Sequence, residues 1–110
     1  MTTFLAAQTP GLTHWIVLSG VLFAIGVYGL LTRRNAIGVL MSIELMLNSA
    51  ALNFVVFNHF RAPAGVDGQI MAIFVIAVAA AEAVIAMAIF VAIYRRRGTL
   101  DVTSMDALKD

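Results

Sequence analysis

The sequence of 110 residues contains no cysteine and few charged side chains. Without cysteine the chain forms no disulfide, and it ligates neither a thiolate zinc site nor an iron–sulfur cluster. Charged residues make up 12% of the sequence, whereas about 25% is typical of a soluble domain. The net charge of +1 also excludes a strongly basic, nucleic-acid-binding surface. Because 62% of the residues are hydrophobic, the composition indicates an integral membrane protein of a few spans.

Motifs for soluble chemistry are missing as well. The sequence has no glycine-rich dinucleotide loop, no Walker motif and no nucleophile triad. The two histidines, His14 and His59, have no acidic cluster beside them that would make a metal site. No pair of histidines lies within a span at a spacing suited to haem. We therefore predict that this chain binds no cofactor and no metal, and that it carries no electrons on its own residues.

Three long hydrophobic runs cover residues 14–32, 36–57 and 69–94. A helix of roughly 20 apolar residues crosses a hydrocarbon core of about 30 Å, and isolated strands do not cross a bilayer. The sequence thus predicts an all-α integral membrane protein, with residues 1–110 forming one membrane domain of three transmembrane helices. Short turns at residues 33–35 and 58–68 join the helices, and Thr13 is the predicted N-cap of the first.

The arginines predict the orientation. Arg33, Arg34 and the run at residues 95–97 lie at one side of the membrane, and Arg61 alone lies at the other. Since cytoplasmic loops carry the excess of positive charge, the five-arginine side is predicted to be cytoplasmic. The N-terminus is then outside, in the periplasm, and a tail at residues 98–110 lies in the cytoplasm.

Two acidic residues, Glu44 and Glu82, lie deep within the second and third spans. Glu44 is about 16 Å along its helix from Arg33, and Glu82 is about 20 Å from Arg95. Both are therefore near the bilayer centre, where a charged residue costs roughly 2.5–3.5 kcal/mol to insert. Burial disfavours the ionised carboxylate, so a group of this kind can take up and release a proton. We predict that Glu44 and Glu82 form a proton relay.

The neighbours of the two acids support this interpretation and leave an alternative open. Asn48, four residues after Glu44, shares its helix face and can hydrogen-bond the carboxyl group or hold a water beside it. Ser49 and Asn53 fall on the opposite face and are interpreted as contacts between helices. The alternative is that both acids are protonated hydrogen-bonding pegs that only hold the helices together.

Two motifs resemble a known family. One is the segment of residues 33–54, with an Arg-Arg-Asn turn followed by Ser-Ile-Glu-Leu-Met-Leu-Asn. The other is the segment of residues 67–97, with Asp-Gly-Gln at its start and Ala-Ala-Ala-Glu-Ala at its middle. Together they resemble the small K subunit of the proton-pumping NADH:quinone oxidoreductase, respiratory complex I, and the homologous subunit of the cyanobacterial and chloroplast complex. The resemblance covers residues 14–104.

The resemblance implies a membrane-arm subunit with three transmembrane helices in the cell inner (plasma) membrane. Its partners would be the lipid bilayer and other membrane-arm subunits, including the quinone-site and antiporter-like subunits. NADH, flavin, iron–sulfur clusters and quinone would be bound by other subunits. Glu44 and Glu82 would couple quinone reduction to proton translocation, with Glu44 the more critical, and the basic turn of Arg33, Arg34 and Asn35 would be functionally sensitive.

Other functions fit the sequence less well. A C-type subunit of a multisubunit cation/proton antiporter is related to the same family, but Glu82 is not expected there. A small multidrug transporter has four spans, and a rotor-ring subunit of an ATP synthase has two spans and one carboxylate. A purely structural assembly subunit, with inert Glu44 and Glu82, is the remaining alternative.

Overall fold

The computed structural model describes residues 9–103 and consists of three long helices. They are α1 (Leu12–Thr32), α2 (Ala36–Arg61) and α3 (Asp67–Arg97). All three are long and apolar enough to cross a membrane, which confirms the predicted all-α membrane fold. The helices extend beyond the hydrophobic runs that predicted them, because α2 continues through the polar residues up to Arg61 and α3 includes all three terminal arginines. Residues 104–110 of the predicted tail lie outside the described residues.

The ends of the helices are set by local hydrogen bonds. The prediction of Thr13 as N-cap is wrong: α1 begins at Leu12, and Gly11 is its N-cap. The backbone N–H of Gly11 donates to Nδ1 of His14 at 3.1 Å, so this histidine helps to close the first turn. At α2, the Asn35 side chain accepts a hydrogen bond from the N–H of Ile37 at 2.9 Å, as an N-cap asparagine typically does.

Helix α2 is the middle helix and packs against both α1 and α3. Its contact with α1 is close because glycines of α1 lie opposite it. A Cβ on Gly26 would lie 2.5 Å from Cγ of Met46 and 2.9 Å from the carbonyl oxygen of Ser42. The buried hydroxyl of Ser19 donates to the carbonyl oxygen of Ser49 at 3.0 Å. Small residues and a hydrogen bond between helices are the usual means of helix association in lipid.

The contact between α2 and α3 relies on alanine and glycine. Ala72 and Ala79, both 3% exposed, are the buried residues of α3. At the start of α3, Gly68 lies directly against α2, where a Cβ would collide with the Phe54 carbonyl oxygen and lie 2.6 Å from Cβ of Asn58. The Asn58 amide donates to the carbonyl oxygen of Gly65 and accepts from the N–H of Gly68, both at 2.9 Å. One side chain of α2 thus fixes the turn before α3 and the first turn of α3.

Candidate functional site

The contact between Asn58 and Gly68 sets the relative depth of the two glutamates. Glu44 lies fourteen residues before Asn58 on α2, and Glu82 lies fourteen residues after Gly68 on α3. Since the two helices are antiparallel, each glutamate is about 21 Å from the same contact, measured along its own helix. The structure therefore places Glu44 and Glu82 at matching depth, as their distances from the arginines predicted.

Glu44 is partly buried and lies on the side of α2 that faces α3. Ala51, seven residues later on the same stripe, is buried, and Asn58, a further seven residues on, bonds to α3. The hydroxyls of Ser42 and Ser49 belong to the opposite side, where the buried Ser49 accepts the bond from α1 through its carbonyl. The two polar sides of α2 therefore have different neighbours: the serines pack on α1, and Glu44 lies at the side of α3.

Glu82 occupies an exposed position on α3. Ala79 and Ala86, its neighbours on the turns before and after it, are buried and partly buried, so Glu82 lies at the edge of the contact with α2 rather than inside it. Within residues 9–103, neither Glu82 nor Glu44 has a hydrogen bond or an ion pair. An ionisable group in lipid is costly without a partner, so the surface around Glu82 is suited to a neighbouring protein rather than to lipid.

The asparagines Asn48 and Asn53 of α2 differ in their exposure. Asn48 is exposed on the side of Glu44, and within the described residues it makes no hydrogen bond to that carboxyl group. The side-chain oxygen of Asn53 is buried without a hydrogen-bond partner in the part of the chain that the structure describes. Asn53 lines a groove between α2 and the start of α3, together with Phe54, Phe57 and Asn58. Asn53 thus differs from Ser49, which does make the expected contact between helices.

The basic turn is exposed to solvent and held by its backbone. Arg33 ends α1 through a bond from its N–H to the Gly29 carbonyl at 2.9 Å, and its side chain lies over Gly38. Arg34 accepts a hydrogen bond at its carbonyl oxygen from the N–H of Val102 at 2.8 Å. Asn35, a candidate functional residue in the sequence, has a structural role as the N-cap of α2.

An acidic residue that the sequence did not single out lies beside this turn. Asp101 forms an isolated antiparallel bridge with Asn35. Its carboxylate accepts hydrogen bonds from the hydroxyl and the N–H of Thr103, at 2.6 and 2.9 Å. These bonds lower the pKa of the Asp101 carboxyl below its ordinary value, burial opposes them, and the positive charge of Arg34 adds to the lowering. Asp101 is therefore an anion at neutral pH next to the basic turn.

Sequence reasoning missed Asp101 and Asn58 for different reasons. An Asp followed two residues later by a Thr is a common side-chain turn, so a weak signal was present for Asp101. Asn58 acts on residues seven and ten positions ahead across a chain reversal, and no local pattern signals such a contact.

Comparison with known proteins agrees with these features. The model of the family NADH-ubiquinone/plastoquinone oxidoreductase chain 4L matches residues 14–110. The chain belongs to this family. It is 50% identical over 98 residues to NAD(P)H-quinone oxidoreductase subunit 4L of Synechocystis sp., covering 89% of this chain and 95% of that relative. It is 48% identical over 98 residues to NADH-quinone oxidoreductase subunit K of Geobacillus sp., covering 89% and 94%.

A chloroplast relative extends the comparison. The chain is 45% identical over 94 residues to NAD(P)H-quinone oxidoreductase subunit 4L, chloroplastic, of Chlorokybus atmophyticus, covering 86% of this chain and 93% of that relative. The resemblance stated from the two sequence motifs is thus confirmed, for the bacterial K subunit and for the cyanobacterial and chloroplast 4L subunits alike.

Proposed function

We propose that this chain is the K (4L) subunit of a proton-translocating NADH:quinone oxidoreductase and that Glu44 and Glu82 relay protons within its membrane arm. The observation that carries the proposal is the pair of carboxyl groups at matching depth on neighbouring helices, α2 and α3, in a family of quinone oxidoreductase subunits. In this proposal, other subunits hold the redox centres, which are flavin and iron–sulfur clusters, and bind the substrates NADH and quinone.

A relay between these helices requires water or a partner side chain. Packed helix axes lie about 8–10 Å apart, which is too far for direct proton transfer unless the carboxyl groups converge. Glu44 lies at the α2–α3 contact and Glu82 at its outer edge. A proton that leaves Glu44 along this contact reaches Glu82, and from there the neighbouring subunit. Quinone reduction in another subunit would drive the transfer by changing the hydration or the rotation of the helix near Glu44.

The surroundings of the chain follow from the same proposal. The exposed apolar surfaces of α1 and α3 contact lipid and other membrane-arm subunits, among them the quinone-site and antiporter-like subunits. The side with Arg33 and Arg34 faces the cytoplasm and the N-terminus faces the periplasm, in the inner (plasma) membrane.

The substitution Glu44→Gln tests the relay. Gln keeps the size and the hydrogen-bonding ability of the side chain but does not titrate. Since acid–base groups contribute about 10²–10⁴-fold to proton-transfer steps, we expect proton pumping to fall at least about tenfold. Quinone reduction and the proton gradient are measured in membranes that contain the assembled complex, and Glu44→Asp should retain part of the activity.

The matched control is Asp67→Asn, the same change from acid to amide in the first turn of α3. We expect it to leave pumping near the wild-type level, and Glu82→Gln to lower pumping less than Glu44→Gln does. Full pumping by an assembled Glu44→Gln complex would show that this residue is not a relay group. Full pumping by the double variant with Glu82→Gln would favour a purely structural subunit.

A further inference from the structure

The chain folds back on itself directly after α3. Gly98 has a left-handed conformation with φ of 70°, and its N–H closes the helix by a bond to the Tyr94 carbonyl at 2.7 Å. A left-handed residue at this position favours glycine, since it has no Cβ to collide with the backbone. The reversal directs residues 99–103 towards the start of α2 and the basic turn.

Two backbone hydrogen bonds fasten this segment to the turn. The N–H of Ala36 donates to the Leu100 carbonyl at 2.9 Å, and the N–H of Val102 donates to the Arg34 carbonyl at 2.8 Å. Ala36 is the first residue of α2, and its N–H is one of the helix-end donors that have no partner within the helix. Ala36 is also 4% exposed, so the Leu100 carbonyl satisfies a donor that solvent scarcely reaches.

The same bonds place Asp101 opposite Asn35. In an antiparallel pair of this type the two Cα atoms lie about 4.5 Å apart and the side chains lie on one face. Thr103 orients the Asp101 carboxylate, and the backbone N–H of Asp101 donates to Oγ1 of Thr99 at 3.1 Å. The bridge therefore sets the Asp101 carboxylate, which Thr103 orients, beside the backbone of the turn that carries Arg33 and Arg34.

We propose that residues 99–103, which join the basic turn through one antiparallel bridge and end in a 3₁₀ turn, act as a positioning strand that holds the basic turn in one arrangement, with Asp101 as the positioning residue for Arg34. The inference rests on the proposed function, because it matters for coupling only if the basic turn does. It adds a role for residues beyond the last membrane helix. The strand connects the end of the helix that carries Glu82 to the start of the helix that carries Glu44.

A disulfide tests the geometry in the assembled complex. The wild-type chain has no cysteine, so Asn35→Cys with Asp101→Cys gives this chain its only two thiols, and their labelling is read on the band of this subunit. The expected Cα separation lies within the range of about 4.4–6.8 Å in which disulfides form. Mild oxidation of native membranes should therefore protect both thiols from maleimide labelling. Asn35→Cys with Arg61→Cys is the control, since Arg61 lies at the far end of α2, and it should stay fully labelled.

The substitution Val102→Pro tests the role of the strand. Proline removes the N–H that bonds to Arg34 and leaves every charge in place, whereas the control Val102→Ala keeps that N–H. Loss of one such bond should lower the equilibrium constant for the docked strand about fivefold. We expect Val102→Pro to lower kcat of quinone-coupled proton pumping without changing KM for quinone, and Val102→Ala to match the wild type.

A double variant separates positioning from a merely structural role. If the strand acts through Arg34, then Val102→Pro should add nothing to the effect of Arg34→Ala. Four results would each overturn the inference. In the activity assays, these are equal activities of the Val102→Pro and Val102→Ala complexes, effects that multiply in the double variant, and an Arg34→Ala complex as active as the wild type. In the labelling assay, it is that the cysteines at positions 35 and 101 stay free after oxidation. If Val102→Pro prevents assembly, Asp101→Asn takes its place in the same comparison.

These results stay distinct from the test of the relay. Normal pumping by the Glu44→Gln complex would overturn the proposed function, whatever the disulfide shows. If pumping is blocked in Glu44→Gln but normal in Val102→Pro, only the proposal of a positioning strand is overturned.

Discussion

The substitution Gly68→Ala tests the contact that sets the depth of the two glutamates. The added methyl group would collide with the Phe54 carbonyl oxygen, which belongs to the backbone of α2 and cannot rotate away. The start of α3 must therefore move outward. This movement breaks the bond from the N–H of Gly68 to the Asn58 side chain and disturbs the bond from Asn58 to Gly65.

The cost of this substitution can be worked from its parts. Overpacking of a close contact costs about 1–3 kcal/mol. Two hydrogen bonds contribute about 1 kcal/mol each, and replacing a helical glycine by alanine returns about 0.5–1 kcal/mol. We expect a net destabilisation of about 2–4.5 kcal/mol, which is roughly a 30- to 2000-fold change in the equilibrium constant for packing α3 on α2.

The assay is the yield and the thermal half-life of the assembled complex on native gels, with pumping measured on the surviving fraction. Gly20→Ala is the matched control, because a Cβ on Gly20 would have no atom of residues 9–103 within 4 Å. It should leave the yield and the half-life unchanged or slightly improve them. Asn58→Ala, which removes the bonds without the collision, should cost about 2 kcal/mol. A Gly68→Ala complex as stable as the Gly20→Ala complex would refute the close approach of α3 to Phe54 and the register built on it.

Three further predictions concern other parts of the chain. Gly26→Ala should separate α1 from α2, because its Cβ would lie 2.9 Å from the Ser42 carbonyl oxygen, and should lower the yield of the complex on native gels relative to the wild type. Asn35→Ala should destabilise α2 by about 1 kcal/mol through loss of its N-cap, seen as a lower thermal half-life, whereas Asn35→Asp keeps the capping oxygen and should not. Asp101→Asn should lower pumping without changing the shape of its pH profile between about pH 6 and 9. Because the pKa of the Asp101 carboxyl is lowered, its stabilising charge is fully present at any pH above the ordinary pKa of an aspartate. That charge is lost only when the pH falls through the lowered pKa, in acid. A shifted profile would contradict that assignment.

The fold was largely predictable from the sequence because the bilayer imposes a simple rule on it. Three apolar runs of sufficient length specify three helices, and the two acids within them stand out against an apolar background. Their matching depth was also predictable, since the rise per residue of a helix is fixed and arginines mark the ends.

The details of the site were not predictable in the same way. Hydropathy places the end of α2 near residue 57, yet the helix continues to Arg61, since polar residues at a membrane surface remain helical without being apolar. The exposure of Glu82 and the partly buried position of Glu44 depend on which stripe of α3 meets α2. The Asn58 contact decides that stripe, and it joins residues across a turn whose geometry no periodicity encodes.

The way in which α3 is attached to α2 has a mechanical consequence. This helix of 31 residues, about 46 Å long, is fastened to α2 by hydrogen bonds near its two ends, at Gly68 and through the strand after Gly98. Between them its buried residues are Ala72 and Ala79, whose methyl side chains make no hydrogen bond to α2. A rod supported in this way deflects most at its centre, and Glu82 is the sixteenth of the 31 residues. A lateral push from a neighbouring subunit would therefore displace this carboxyl group further than any other part of the helix.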